Sequence, residues 1–185
     1  DAVTASIITT RGCPYRCTFC HTTNQQGNKV RYRSAENVLE EIEYLVEERG
    51  VRDLVFWDNN ITGSPKIIRE LSEQILRRGY DITWAGATRA DRVDLETMKL
   101  MRRAGCWRLL FGIETGVQKN LEAVNKRERL AHTAEKIRQC QKAGIEVFAT
   151  FIFGIPTETY AEALDTIRFA VEHDTLVPFP DVVAE

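Results

Sequence analysis

The sequence lacks an excess of charge of either sign. Its 25 Lys and Arg residues nearly balance its 27 Asp and Glu residues, which leaves a formal net charge of −2. A protein that binds nucleic acid or an anionic membrane surface usually carries a clear basic excess. The composition therefore gives no indication of a nucleic-acid or membrane partner.

Long hydrophobic runs are missing as well. The longest nearly continuous apolar stretch, from Val147 to Ile155, is far shorter than the roughly 20 residues of a membrane-spanning helix. The remaining composition, 43% hydrophobic over 185 residues, is that of a globular domain with a sizeable core. We expect one domain over residues 1–185. We also expect it to be a fragment of a longer protein, because the opening DAVTAS has neither an initiator Met nor a secretory leader.

The five cysteines do not suit a disulfide framework. Their number is odd, and Cys13, Cys17 and Cys20 crowd into eight positions. This usage favours a reducing compartment, and we expect the protein to be cytoplasmic. Cys106 and Cys140 lie far from the others in sequence, and each is expected to be a small buried apolar side chain.

One pattern recurs along the chain: a helix ends in basic residues, a glycine follows, and an apolar strand begins. Glycine permits the left-handed turn that commonly closes a helix. The glycines at these points are Gly50, Gly79, Gly105 and Gly144. Helix starts are indicated too, because Ser34, Ser64 and Asp94 are good capping residues. A last helix is expected over about 160–172.

Five short apolar stretches alternate with these helices and are predicted to be strands. They are residues 6–9, 54–57, 82–86, 108–112 and 147–153. Their alternation with helices predicts a parallel sheet with right-handed crossovers. A sixth strand is expected at 176–179 or 182–184. Since an eight-stranded barrel needs about 250 residues, the pattern predicts an α/β fold that is either a partial barrel or a doubly wound sheet.

In either architecture, ligands bind at the carboxyl ends of the strands. The segments at those ends are polar or contain glycine, namely RGCPYRCTFC, DNNITGS, ATRAD, IETG and GIPTET. The first of them holds the clustered cysteines and is the leading candidate for a site. Trp57, Trp84 and Phe111 lie on the predicted strands and are expected to pack in the core.

The cysteine spacing is C-x3-C-x2-C, and four kinds of site match part of it. A structural zinc site needs four ligands, and His21 is poorly placed to share one tetrahedron with the adjacent Cys20. A haem attachment site or a redox dithiol would leave Cys13 without a role. An iron–sulfur cluster uses all three thiolates and leaves one of four irons open. The iron–sulfur interpretation is therefore favoured.

The cysteine loop and the segments after it resemble a known family. RGCPYRCTFC is similar to the C-x3-C-x-aromatic-C signature of the radical S-adenosylmethionine (radical SAM) enzymes, with Phe19 in the aromatic place. DNN, TRAD, GIET and GIPTET then follow the next four strands in the order of that family. The resemblance covers essentially the whole chain and is closest to the subgroup that often carries an upstream cobalamin-binding domain.

The resemblance implies a partial (β/α)6 TIM-like barrel, with its sixth strand at or beyond the end of the chain. It also implies a [4Fe–4S] cluster on Cys13, Cys17 and Cys20, whose open iron chelates SAM. In the family, one electron cleaves SAM to methionine and a 5′-deoxyadenosyl radical that abstracts a hydrogen from the substrate. The expected partners are an external electron donor of the flavodoxin or ferredoxin type and an unidentified substrate. Methyl transfer with cobalamin held by a domain outside this chain, and ring rearrangement, both remain open.

The resemblance also places five side chains near SAM. Phe19 and Ile155 match positions beside the adenine, and Glu114 matches a polar position near the ribose hydroxyls. Asp58 follows the second strand, where the family holds the methionyl amino group; a turn-forming Asp is the alternative. Arg89 is expected to clamp the methionyl carboxylate, and a surface ion pair is the alternative.

A second class of function is an electron-transfer or cluster-carrying module without radical chemistry. Such a module would need a fourth cysteine to close the cluster. Cys106 and Cys140 are predicted at the far end of a strand and within a helix, away from the loop. An open iron, and with it an enzyme, is therefore the favoured hypothesis.

Overall fold

The computed structural model describes residues 3–89 and 93–175, and a five-stranded parallel sheet is its central feature. Strands and helices alternate along the chain, as predicted. In chain order the elements are β1 Val3–Ile7, β2 Thr10–Arg11, α1 Thr22–Gln26, β3 Arg31–Tyr32, α2 Ala35–Arg49, β4 Val51–Phe56, α3 Pro65–Arg78, β5 Thr83–Thr88, α4 Leu95–Arg103, β6 Cys106–Glu114, α5 Gln118–Ala123, α6 Leu130–Lys142, β7 Glu146–Phe151 and α7 Tyr160–Glu172. Among the described residues, no helix combines the length and the apolar character needed to cross a membrane.

The order of the strands decides between the two architectures that the sequence left open. The large sheet runs β1, β4, β5, β6, β7, and each neighbouring pair is parallel. This order follows the chain without reversing, whereas a doubly wound sheet reverses at its switch point. Right-handed crossovers in one direction place the helices on one face, which is the winding of a barrel. The α/β partial barrel is thus confirmed; the sixth strand predicted at 176–179 or 182–184 lies outside the described residues.

The predicted helix ends are confirmed by their capping contacts. Ser34, Ser64 and Asp94 each accept a backbone hydrogen bond at the start of α2, α3 and α4. Thr159 caps α7 and exchanges reciprocal bonds with Glu162. The four predicted glycines all have φ between 65° and 95°. Because the strands that follow these turns are parallel, their carboxyl ends meet at one edge of the sheet.

The hydrophobic core lies between the sheet and the helices. Trp84 and Phe111 are buried there as predicted, and the Trp84 ring packs edge-on against Phe56 with 5.3 Å between centroids. The prediction that Trp57 is a core residue is wrong, because Trp57 is 66% exposed. It follows the buried Phe56 and points to the face of the sheet that the helices leave uncovered. Its indole Nε1 donates to Ser6 Oγ at 3.0 Å.

Candidate functional site

The cysteine loop, residues 12–20, follows β2 and has no regular secondary structure. Gly12 has φ of 93°, and a side chain there would clash with the carbonyl oxygen of Lys29. The Gly12 N–H donates to Gln26 Oε1 at 3.1 Å, and the Cys13 N–H donates to the Gly27 carbonyl at 3.2 Å. Glycine is therefore required where the loop begins, directly before Cys13.

Cys13, Cys17 and Cys20 all line one cavity of about 170 Å³ at the carboxyl ends of β5 and β6, which we call the cysteine cavity. Polar, charged and small residues from other segments complete its wall. The ones that bear on the chemistry are Phe19, Asn59, Arg89, Gly112, Glu114 and Lys126. Three of the five side chains predicted to contact SAM thus converge with the three predicted cluster ligands.

The loop thiols are free and accessible, with Cys20 exposed and Cys13 and Cys17 half-buried. Burial raises the pKa of the Cys17 thiol, while the positive charges of Lys126 and Arg89 oppose that rise. Over residues 3–89 and 93–175, no three His, Cys, Asp or Glu side chains already stand in metal-binding geometry. The cysteines therefore line the cavity as separate thiols.

Cys106 and Cys140 have the buried, structural positions that were predicted for them. Cys106 begins β6, at the end of that strand opposite the cysteine cavity. Cys140 lies in α6, and its Sγ is 3.7 Å from Met98 Sδ. Burial raises the pKa of both thiols, that of Cys140 to about 12. Neither is placed to complete a site at the loop.

Asp58 fixes the chain immediately before the cysteine loop. Its buried carboxylate accepts hydrogen bonds from the backbone N–H and the hydroxyl of both Thr9 and Thr10, including 3.0 Å from Thr9 N and 2.7 Å from Thr10 Oγ1. Burial raises the pKa of Asp58, and these hydrogen bonds oppose the rise. The neighbouring Asn59, and not Asp58, lines the cysteine cavity. Asp58 therefore holds the distant chain that leads from β1 into β2 and not its own turn, and its contact with a methionyl amino group stays a prediction.

Asp58→Ala is expected to lower the free energy of unfolding by about 3 kcal/mol, because buried backbone donors lose their acceptor. Urea denaturation of the apoprotein measures this change. The matched control is Asp53→Ala, which removes a carboxylate within β4 that accepts an exposed bond from Thr83 Oγ1 at 2.8 Å. The control is expected to cost less than about 1 kcal/mol. Equal losses in the two variants would contradict the account.

Arg89 directly follows β5 and lines the cysteine cavity. Its guanidinium lies 3.6 Å from the centroid of the Tyr15 ring, within the cysteine loop. Its Nη2 is 2.9 Å from Glu128 Oε1 and donates to the Lys126 carbonyl at 2.8 Å. With Arg89 only 7% exposed, the surface ion pair considered as an alternative is wrong. Arg89 is a buried cation that joins the cysteine loop to the segment after α5.

Glu114 reaches the cavity because β6 is irregular at its end. The register between β6 and β7 shifts between Gly112 and Glu114, and Glu114 has a left-handed φ of 70°. Its Oε1 is 2.8 Å from Lys126 Nζ, which also donates to the Gly112 carbonyl at 2.7 Å. A side chain at Gly112 would come within 2.7 Å of Glu114 Oε1. Because of the bulge and the glycine, the buried ion pair of Glu114 and Lys126 lies in the wall of the cavity.

Phe19 and Ile155, the two remaining predicted residues, differ in whether they line this cavity, and the unassigned Glu158 lies in the same loop as Ile155. Phe19, 40% exposed, forms part of its wall. Ile155 is buried in the loop after β7 and is not among the lining residues, so its contact with adenine stays a prediction. Glu158 braces that loop, since its Oε2 accepts from Gly154 N at 2.7 Å and its Oε1 from Asn120 Nδ2 at 3.3 Å.

Two residues of the site were missed by sequence reasoning. Lys126 and Glu128 lie in the charged stretch NKRERL, which is typical of an exposed surface, yet they are 4% and 6% exposed. Their partners Glu114 and Arg89 are distant in sequence, and no periodic pattern connects them. The density of charge directly after a short helix is the only signal, and it indicates no particular contact.

Comparison with known proteins identifies the family to which this arrangement belongs. The sequence pattern of the Radical SAM superfamily matches residues 7–170. The chain belongs to the radical SAM superfamily. The resemblance seen in the sequence is therefore confirmed, and so is the use of a [4Fe–4S] cluster and SAM that this family shares.

Two relatives of the radical SAM chain are similar over most of its length. It is 33% identical over 168 residues to an uncharacterized methyltransferase of Pyrococcus horikoshii, which covers 91% of this chain and 37% of the relative. It is 35% identical over 151 residues to the cytidylyl-2-hydroxyethylphosphonate methyltransferase of Streptomyces wedmorensis, which covers 81% of this chain and 28% of the relative. The chain thus spans about a third of the length of these relatives.

A solved structure confirms the radical SAM fold. The methyltransferase TsrM of Kitasatospora setae, with cobalamin and a [4Fe–4S] cluster bound, superposes with a TM-score of 0.87. The sequences are 22% identical, and the match covers 95% of this chain and 36% of TsrM. At this level of identity the likeness establishes the fold.

The residues of the cysteine cavity fit an iron–sulfur cluster that binds a small charged cofactor. Three thiols from one loop share the cavity, and all five cysteines of the chain are free. Thiolates are the usual ligands of such clusters. Arg89 and Lys126 place positive charge beside them, which suits both a thiolate-bound cluster and an anionic group of the cofactor.

Proposed function

We propose that this chain is the catalytic core of a radical SAM enzyme in which Cys13, Cys17 and Cys20 hold a [4Fe–4S] cluster with one open iron. The observation that supports it is the convergence of three loop thiols on one cavity, while the other two cysteines are buried elsewhere. When bound, the cluster would deliver one electron to SAM, which yields methionine and a 5′-deoxyadenosyl radical able to take a hydrogen from the substrate.

The other residues of the cavity have roles in holding SAM beside the thiols. Arg89 supplies a buried positive charge for the methionyl carboxylate. Glu114 supplies a carboxylate for the ribose hydroxyls, and Lys126 holds that carboxylate in place. Phe19 shields the cavity from water on the side of the loop. Asn59, which follows β4, brings a side-chain oxygen to the cavity wall, where it also accepts from Thr22 Oγ1 at 3.3 Å, while Asp58 is engaged with Thr9 and Thr10.

Methyl transfer is the reaction that we propose for the whole protein. The names of both relatives describe methyltransferases, and TsrM is a methyltransferase with cobalamin bound. Cobalamin would be held outside this chain, which spans only about a third of those proteins. An electron donor of the flavodoxin or ferredoxin type would reduce the cluster. Five free cysteines favour a reducing compartment, and we place the protein in the cytoplasm.

The enzyme is expected to form 5′-deoxyadenosine when it is reconstituted anaerobically and given SAM and dithionite. Chromatography with mass detection measures this product, and reactions without SAM or without dithionite are the controls. The expected result is product only in the complete mixture. A cluster that is present and reducible but never yields 5′-deoxyadenosine would instead support the electron-transfer module.

A further inference from the structure

A short segment between α5 and α6, residues 124–128, packs against the cysteine loop; we call it the latch. Its backbone is unusual, because Asn125 and Arg127 both have left-handed φ angles, 53° and 54°. Non-glycine residues seldom adopt this conformation, although asparagine tolerates it best. Two such residues close together persist only where surrounding contacts hold them.

The latch binds the middle of the cysteine loop directly. The Thr18 N–H donates to the Val124 carbonyl at 3.0 Å. On the other side of Cys17, Asn125 Nδ2 donates to the Arg16 carbonyl at 2.8 Å. These two hydrogen bonds bracket the half-buried thiol of Cys17 and join segments more than a hundred residues apart in sequence.

A third connection runs through Arg89. Its guanidinium stacks on Tyr15 of the cysteine loop and donates to the Lys126 carbonyl of the latch. The ion pair with Glu128 holds the same guanidinium from the end of the latch. The latch is therefore tied to the loop at three successive points, while the loop itself has no helix or strand to fix it.

The side chain of Asn125 is oriented within the latch. Arg127 Nε donates to Asn125 Oδ1 at 3.0 Å, which turns Nδ2 toward the Arg16 carbonyl. An amide is needed for this arrangement, because Oδ1 accepts on one side while Nδ2 donates on the other. Aspartate would keep the first bond and lose the second.

We propose that Asn125 is a positioning residue for the cluster: by holding the Arg16 carbonyl, it sets the place of Cys17 in the cysteine cavity. This inference rests on the proposed function, because the cluster is what the positioned thiol would bind. Asn125 does not touch the cluster or SAM in this account. Its role is to keep an irregular loop in one conformation, so that three thiols face the same space.

The first test uses the apoprotein and needs no cluster. Asn125→Asp and Asn125→Gly both tolerate the left-handed backbone and remove the donor to Arg16. The control is Asn24→Asp, which adds the same charge at an exposed position in α1. Alkylation by iodoacetamide, read residue by residue with mass spectrometry, reports the accessibility of Cys17. Both Asn125 variants are expected to react about fivefold faster at Cys17, the factor that loss of one hydrogen bond gives, and the control is expected to match the wild type.

The buried thiols of Cys106 and Cys140 serve as internal controls in the same spectra. They are expected to stay unreactive in every variant. Unchanged alkylation at Cys17 in the Asn125 variants would overturn the proposal. Reaction at Cys106 and Cys140 as well would also overturn it, since Asn125 would then support the whole fold and not the loop.

The second test measures retention of the cluster after anaerobic reconstitution. Release of iron to a ferrous chelator is expected to be about fivefold faster in Asn125→Asp and Asn125→Gly than in the wild type and Asn24→Asp. Equal release rates would overturn the positioning role while leaving the proposed function intact. A wild-type protein that takes up no iron would instead refute the proposed function, and the alkylation result would still decide whether the latch holds the loop.

Discussion

Replacing Cys13, Cys17 or Cys20 with serine, one at a time, is expected to lower bound iron from about four per chain to below about one after anaerobic reconstitution. The three thiols line one cavity, and every one of them is needed when the fourth iron has no protein ligand. Serine preserves the size of the side chain but replaces the soft thiolate that iron prefers. Iron and sulfide analysis, together with the visible absorbance of the cluster, measures the loss.

The controls for these variants are Cys106→Ala, Cys140→Ala and His21→Ala. The first two remove buried thiols that are remote from the cavity, and the third removes the histidine that a zinc site or a haem attachment site would require. All three are expected to retain about four irons per chain. Loss of the cluster in Cys106→Ala or Cys140→Ala would show a fourth cysteine ligand and would contradict the open iron.

Lys126→Met is expected to lower the free energy of unfolding by about 3 kcal/mol. Removal of one partner leaves the carboxylate of Glu114, 8% exposed, as an uncompensated buried charge. The variant also removes the hydrogen bond from Lys126 Nζ to the Gly112 carbonyl. Denaturant unfolding of the apoprotein measures the change, so that loss of stability is separated from loss of the cluster.

Two further variants separate the ion pair from other effects of this change. The double variant Lys126→Met with Glu114→Gln is expected to be more stable than Lys126→Met alone, because no unpaired charge stays buried. Lys119→Met makes the same substitution in an exposed ion pair with Glu162. It is expected to lower the free energy of unfolding by less than about 1 kcal/mol. A cost for Lys126→Met no larger than that for Lys119→Met would contradict the buried pair.

Most of the fold could be predicted because its signals are local. A glycine after a basic helix end and a capping residue before the next helix depend only on neighbouring residues, and the structure has these features at the predicted positions. The choice between a barrel and a doubly wound sheet depends on strand order, which no local signal specifies. The strand order seen in the structure decides in favour of the partial barrel.

Trp57 and Asp58 show why strand ends are harder to interpret. Side chains on a strand alternate between its two faces, and the strand predicted at 54–57 is apolar on both. The sequence therefore does not reveal that the face of Trp57 is the one without helices, while Asp58 turns toward the buried Thr9 and Thr10. A step of one residue, from Trp57 to Asp58, changes an exposed side chain into a buried one. Asp58 is the residue that was expected to bind the cofactor.

The buried charges of the site could not be predicted for a related reason. Arg89 and Glu114 lie at predicted strand ends, but the latch that supplies Lys126 and Glu128 comes from a charged loop with no periodic pattern. Their pairing depends on a bulge in β6 and on left-handed residues in the latch. Such irregular geometry is set by tertiary contacts, whereas the cysteine spacing matches a short signature of the family and could be recognised directly.

The proposed enzyme depends on a cluster, held by the cysteine loop, that has one iron open to SAM. Electron paramagnetic resonance of the dithionite-reduced protein, recorded with and without SAM, tests it most directly. The expected result is a [4Fe–4S] signal whose g-values shift when SAM is added, because the cofactor then binds the open iron. A cluster signal that SAM leaves unchanged would contradict the claim and would favour a closed electron-transfer centre.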